Sequence, residues 1–132
     1  MDKTEYRMKL DELTSLVEKQ DFKGALQVAD SIDWRRVKSV KTLSMVADIY
    51  EVNKEYERCK EILLLAHSRS MIGKMVLYRL VEISLKLGET EDAAEYYSQF
   101  VETAPNDNTR FILKYKIYKA QRAPLEDRKS VV

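Results

Sequence analysis

Three small residues, Ala25, Cys59 and Ala93, recur at intervals of 34 positions, and each closes a similar five-residue phrase. The phrases read Asp21-Phe22-Lys23-Gly24-Ala25, Glu55-Tyr56-Glu57-Arg58-Cys59 and Glu89-Thr90-Glu91-Asp92-Ala93. A period of this length is that of a helix–turn–helix unit, too small to bury both of its faces alone. Stacked neighbours bury them in one continuous core. The recurrence therefore points to an array of helical hairpins, an architecture that serves more often as a surface for another chain than as the frame of a catalytic pocket.

Hydrophobic periodicity supports helices throughout. In residues 4–19, Tyr6, Leu10, Leu13, Leu16 and Val17 recur on one helical face. Asp21 is placed to cap a second helix carrying Phe22, Ala25, Leu26, Val28, Ala29 and Ile32. Residues 33–38 read as an irregular connection, and Ser39 as the cap of a third helix with Leu43, Val46, Ala47, Ile49 and Tyr50. Asn53 and Lys54 supply a turn, and Tyr56, Cys59, Ile62, Leu63 and Ala66 mark the fourth helix. Gly73 opens a fifth, which Gly88 ends in left-handed conformation. Ala93, Ala94, Tyr97, Phe100 and Val101 build a sixth, broken at Pro105 and Asn106. Asn106 or Asp107 caps a seventh carrying Phe111, Ile112, Tyr115, Ile117 and Tyr118, and Pro124 could open an eighth. No strand pattern competes.

Composition agrees. Of 132 residues, 45% are hydrophobic and 34% charged, with three Gly and two Pro, a mix suited to a folded helical protein. The net charge of +1 gives no bulk attraction to nucleic acid or anionic lipid. From Asn108 onward the chain holds seven Lys/Arg and two Asp/Glu, so its last part is basic and the remainder mildly acidic. Cys59 is the single cysteine, which precludes an intramolecular disulfide. The start, Met1-Asp2-Lys3-Thr4-Glu5, lacks a signal-peptide core, and the longest apolar run, 62–66, is far short of the roughly 20 residues of a membrane span. The expectation is a cytoplasmic protein.

These residues resemble the tetratricopeptide repeat family. Leu77, Leu80, Gly88, Ala93, Tyr97 and Pro105 stand at its framework places in the third unit. Leu43, Val46, Ala47, Tyr50, Tyr56, Cys59 and Ala66 do so in the second, with Met71 in place of the proline. Leu13, Leu16, Phe22 and Ala25 do so in the first, where Ile32 is larger than the usual small residue. Phe100 stands at a normally small position and Ser84 where tyrosine is usual, departures that suggest local repacking. The chain also resembles the N-terminal part of bacterial proteins in which more such repeats follow. The resemblance implies an all-α, right-handed α-α superhelix of about three helix pairs plus a C-terminal helix. The expected organisation is a single domain over 1–132, with repeats at approximately 6–39, 40–73 and 74–107, a terminal helix at 108–122 and a polar tail at 123–132.

Candidate chemistry is sparse. Cys59 occupies the small-residue slot and reads as an inert buried thiol. His67, the single histidine, has no Cys or His beside it to share a metal. No Gly-rich phosphate loop, paired-Cys motif or nucleophile–base set is present. The sequence thus predicts no enzyme activity, cofactor or metal. Trp34 reads as a cap over the core between the first two repeats, and Tyr50, Tyr56 and Tyr97 as core.

By resemblance, the first helix of each pair lines a concave groove that grips an extended peptide or helix. The groove places are Leu10, Thr14 and Val17, then Lys41, Ser44, Asp48 and Glu51, then Met75, Tyr78, Arg79, Glu82 and Lys86, then Ile112, Lys116 and Lys119. Some relatives clamp a C-terminal carboxylate with Lys and Asn side chains. Here Leu10, Thr14 and Met75 occupy three of those places and only Arg79 fits, so that mode is rejected. Asp48, Glu51 and Glu82 predict an acidic middle, with Tyr78 beside it, suited to a partner bearing Lys or Arg and an apolar anchor. The expected function is a non-enzymatic protein–protein interaction scaffold binding through Asp48, Glu51, Tyr78, Arg79 and Glu82. Two alternatives stand beside it. One is a self-associating module, a homodimer or a piece of a longer array. The other, less favoured, is RNA binding through Arg110, Lys114, Lys116, Lys119 and Arg122.

Overall fold

The computed structural model describes residues 2–69 and 73–122. Seven α-helices run in order through the described residues: α1 (Lys3–Glu18), α2 (Phe22–Asp30), α3 (Val40–Val52), α4 (Tyr56–Arg69), α5 (Lys74–Lys86), α6 (Thr90–Thr103) and α7 (Thr109–Arg122). A short 3-10 turn, Trp34–Arg36, joins the first hairpin to the second. No strand occurs among the described residues. Met71, Pro124 with its expected eighth helix, and the tail 123–132 lie outside them.

Four helix starts, those of α1, α2, α3 and α7, carry a side-chain cap. Asp2 Oδ1 accepts from the Glu5 N–H at 2.7 Å, Asp21 Oδ1 from Gly24 at 3.0 Å and Ser39 Oγ from Thr42 at 3.2 Å. Asp107 Oδ1 accepts from the Thr109 backbone N–H at 2.9 Å where α7 begins. These contacts satisfy donors that the first helical turn cannot.

The three hairpin turns repeat one geometry. Gln20, Lys54 and Gly88 have φ of 61°, 62° and 75°. The residue after each, Asp21, Glu55 and Glu89, donates its N–H back to Leu16, Tyr50 and Ser84 at 2.9, 2.8 and 2.8 Å. This is the closed left-handed helix terminus. Those same three residues then accept from Ala25, Cys59 and Ala93 at 3.0, 2.9 and 3.0 Å, the first helical bonds of α2, α4 and α6. The phrase noticed in the sequence is therefore one backbone device, used three times.

Packing follows the chain. Consecutive helices touch, and α5 also touches α7. Ala25, Cys59 and Ala93 are fully buried, which lets paired helices approach closely, while Leu13, Leu43, Leu63, Leu77, Leu80 and Leu113 fill the spaces between them. Trp34 is buried and donates its Nε1–H to the Ala29 carbonyl at 3.0 Å, as expected of a core cap. Tyr50 is fully buried, whereas Tyr56 and Tyr97 are half-buried against the core. Phe100 fills its normally small position completely and meets Tyr78 edge-on, the ring centroids 6.0 Å apart. Ser84 is buried where the family pattern has tyrosine, and its hydroxyl has no partner among the described residues.

An ionic staple anchored on a buried lysine crosses the array. Lys60 Nζ reaches Glu89 Oε1 at 2.8 Å and Asp92 Oδ2 at 2.7 Å, tying α4 to the start of α6. Glu89 precedes α6 without capping it through its side chain, because its carboxylate is turned to Lys60.

Candidate functional site

Helices α3, α5 and α7 lie side by side in register, and ion pairs join them. Arg79 Nη2 on α5 lies 2.7 Å from Asp48 and 3.1 Å from Glu51 on α3, while its Nη1 donates to the Ser44 carbonyl at 3.3 Å. The other oxygen of Glu51 accepts from Lys86 Nζ at 2.9 Å, across 35 positions of sequence. Glu82 Oε2 accepts from Lys116 Nζ of α7 at 2.8 Å, across 34. The repeat period is thus written into the contacts along this wall.

Aromatic rings flank the pairs. The Lys86 ammonium stands 5.3 Å above the Tyr56 ring, and Lys116 stands 6.0 Å above Tyr78. Tyr78 in turn braces on Phe100. Ile112, half exposed, lies one turn before Lys116 on α7, and Met75, largely exposed, lies one turn before Tyr78 on α5. The wall therefore offers a row of charges with an apolar rim at one end.

All five predicted site residues fall on this wall. Asp48, Glu51 and Arg79 form one cluster, Glu82 belongs to the neighbouring pair with Lys116, and Tyr78 lies beneath Lys116. The four charged side chains keep partial access to water, from 22% of the surface for Arg79 to 64% for Asp48, and Tyr78 is partly buried. Burial would raise the Glu51 pKa, but the hydrogen bonds from Lys86 and Arg79 outweigh it and hold the carboxyl below its ordinary value. Lys86 and Lys116 are each raised by the carboxylate they bond.

The charge balance differs from the expected acidic middle. Each carboxylate is matched by a cation one repeat away: Asp48 and Glu51 by Arg79, Glu51 also by Lys86, and Glu82 by Lys116. Reading the carboxylates singly missed this; opposite charges near one repeat period apart were the available signal. The remaining groove places differ among themselves. Leu10 and Val17 of α1 are half-buried against the core, and the Thr14 hydroxyl donates to the Leu10 carbonyl at 2.9 Å. Lys119 turns away to its own helix, 5.7 Å above Tyr115.

Other candidates carry little chemistry. Burial pushes the Cys59 thiol up to about 12, with Glu51 adding to the effect, so the sulfur is a poor nucleophile. His67 Nδ1 is buried in the last turn of α4, without a partner among the described residues. No cluster of three metal-ligating side chains occurs among the described residues. No helix among them is long and apolar enough to cross a membrane.

The helix order, the repeated turns and the shared wall define a helical-repeat solenoid of tetratricopeptide type. Solved structures share this fold. The first tetratricopeptide domain of Spaghetti (RPAP3), bound to the HSP90 peptide SRMEEVD, superposes with a TM-score of 0.70 at 15% identity, covering 93% of this chain and 98% of that one. PcrH in complex with the chaperone binding region of PopD gives 0.61 at 9% identity, covering 98% and 95%. The Yersinia enterocolitica type III secretion chaperone SycD, with a peptide of the translocator YopD, gives 0.63 at 11% identity, again covering 98% and 95%. At these identities the likeness is one of fold. No protein-family model matches the sequence, and no curated protein matches it.

Proposed function

We propose that this chain is a non-enzymatic scaffold that holds a peptide or helix of another protein against the α3–α5–α7 wall, with Asp48, Glu51, Tyr78, Arg79 and Glu82 as the contact residues. One observation carries the proposal: the half-exposed ladder of ion pairs that links three first helices in register. Its charged groups are held at the open face in matched pairs, which favours a partner that brings both signs in the same spacing. The three structural neighbours, each holding a peptide, support the same reading.

The matched charges define the partner's chemistry. A peptide carrying both signs can exchange partners with the ladder, its cation meeting Asp48 and its carboxylate meeting Lys86 or Lys116, while an apolar side chain rests on Met75, Tyr78 and Ile112. A terminal carboxylate alone finds no clamp, since Leu10, Thr14 and Met75 offer none and Arg79 is already shared by two acids. The proposed setting is cytoplasmic, where the reduced Cys59 thiol would persist.

A pull-down from native cytoplasm tests the site. The wild-type chain is compared with an Asp48→Lys/Glu82→Lys double variant, which reverses two carboxylates without touching the core. Loss of specific partners by the variant supports the site. Recovery of the same proteins at equal yield rejects it.

A further inference from the structure

The two ends of the solenoid differ in a complementary way. On α7, Leu113 and Ile117 face the core, whereas Phe111, Tyr115 and Tyr118 are 56%, 61% and 53% exposed along the opposite side. In the earlier units a second helix covers the first: α2 packs on α1, α4 on α3 and α6 on α5. Among the described residues nothing does so for α7. A Phe or Tyr side chain covers roughly 150–250 Å² when buried, so the three rings with Ile112 expose on the order of 400 Å². That is the size of the largest apolar patch on a typical monomer.

The stripe is cationic throughout. Helix α7 has five Lys/Arg and no Asp/Glu. Arg110 stands 4.5 Å above Phe111, Lys119 5.7 Å above Tyr115 and Arg122 5.4 Å above Tyr118. Of the five, Lys116 is engaged with Glu82 across the wall and Arg110 donates to the Pro105 carbonyl.

At the other end, α1 turns Tyr6, Leu10, Leu13, Leu16 and Val17 toward the core. Its outer side shows Met8, 68% exposed, with the exposed carboxylates of Glu5, Asp11 and Glu12 one turn away, and exposed Glu18 and Lys19 at its far end. Asp2, Glu5, Met8 and Glu12 also border a shallow depression there. Arg7 is exposed nearby, and Lys9 is engaged by Glu5 and Ser31. Met8 thus stands among acids one turn away on a helix that also exposes Lys3 and Arg7, while the other end is aromatic and basic.

We infer that the chain associates head to tail with a second copy of itself, the α1 outer face of one copy covering the Phe111-Tyr115-Tyr118 stripe of the next. A repeat array grows by adding one more unit in the same sense, so its first helix is shaped to follow its last. The joint is heterologous, unlike the α7–α7 pairing of a two-fold dimer, and it leaves both outer ends free to extend. Charge complementarity selects this partner: acids around Met8 meet the cations that fringe the aromatic rings. The apolar part is about half of the roughly 800 Å² per partner of a standard interface, so the joint is weak and concentration-dependent. The two proposed surfaces overlap at Ile112, which also borders the groove.

Sedimentation equilibrium of the full chain, from micromolar to submillimolar concentration, tests it together with two variants of exposed residues. The average mass of the wild type should rise with concentration. Met8→Lys, which sets a cation against the cationic stripe, and Tyr115→Glu, which sets an acid against the acids around Met8, should each weaken association at least about tenfold. An equimolar mixture of the two should recover a 1:1 complex, because one copy keeps an intact α7 stripe and the other an intact α1 face. Circular dichroism checks that both variants stay folded, and Tyr118→Glu replaces Tyr115→Glu if it does not. A wild type that remains monomeric throughout overturns the inference, whether residues 123–132 or a titrated single-stranded RNA then proves to cover the stripe. So does a Met8→Lys chain that associates like the wild type, or a mixture that stays monomeric.

Discussion

Replacing Phe100 by Ala separates the family pattern from the structure of this chain. The pattern prefers a small residue at this place, so a consensus argument expects Phe100→Ala to stabilise. The packing implies the reverse. Phe100 is 1% exposed, and its ring meets Tyr78 at 65° with centroids 6.0 Å apart. Withdrawing a fully buried ring loses about 1.5–3 kcal/mol of transfer energy. The edge-on aromatic contact adds about 0.5–1.5 kcal/mol. The unfilled cavity brings the usual total to about 3–5 kcal/mol. The better helix propensity of Ala returns only about 0.5 kcal/mol. A net loss of about 3–4 kcal/mol is expected, measured by urea unfolding at 25 °C and followed by far-ultraviolet circular dichroism. The denaturant slope should also fall, because α5–α7 would unfold before the first two hairpins in a quasi-one-dimensional array. A loss under about 1 kcal/mol, or a gain, would refute the packing argument.

Three further outcomes follow from the same contacts. Lys54→Gly should stabilise by about 0.5–1 kcal/mol in thermal or urea unfolding, because position 54 is left-handed at φ 62° and glycine adopts that conformation without strain; a destabilised variant would contradict the turn geometry. Lys60→Ala should cost about 1–2 kcal/mol by the same assay, less than a fully buried pair because Glu89 and Asp92 remain about half exposed, and Lys60→Met should cost less by keeping the apolar stem. Cys59 should react with a thiol reagent at a rate set by unfolding. Its folded pKa is raised from 9.0 to about 12, so this contribution to stability is intact below pH 9 and declines as pH climbs toward 12; rapid modification of the native chain at neutral pH would show the thiol to be accessible.

The helices were legible because period, caps and breakers agreed. Asp21 and Ser39 cap as their positions predict, and Gly88 takes the left-handed turn that its residue type suits. Gln20 and Lys54 take the same conformation without any glycine to announce it, since the closed hairpin imposes it on whatever residue stands there. Only the 34-residue register with Gly88 could have found them. The groove was legible as a set of positions and not as a charge distribution. Asp48, Glu51 and Glu82 are acidic one at a time, but their cations sit on the next helix, which residue type alone does not reveal. Phe100 was legible as a departure from pattern; that it fills the space beneath Tyr78 required coordinates. The exposed aromatic side of α7 and the acids around Met8 on α1 emerged only from exposure.

The groove itself is tested most directly by selecting a binder and mapping where it sits. A random peptide library displayed on phage is panned against the folded chain, and a selected peptide is titrated into ¹⁵N-labelled protein. Amide shifts should concentrate at Asp48, Glu51, Tyr78, Arg79 and Glu82, and Asp48→Lys/Glu82→Lys should abolish them. Shifts centred on α2, α4 or α6, or binding that survives the double variant, would contradict the account.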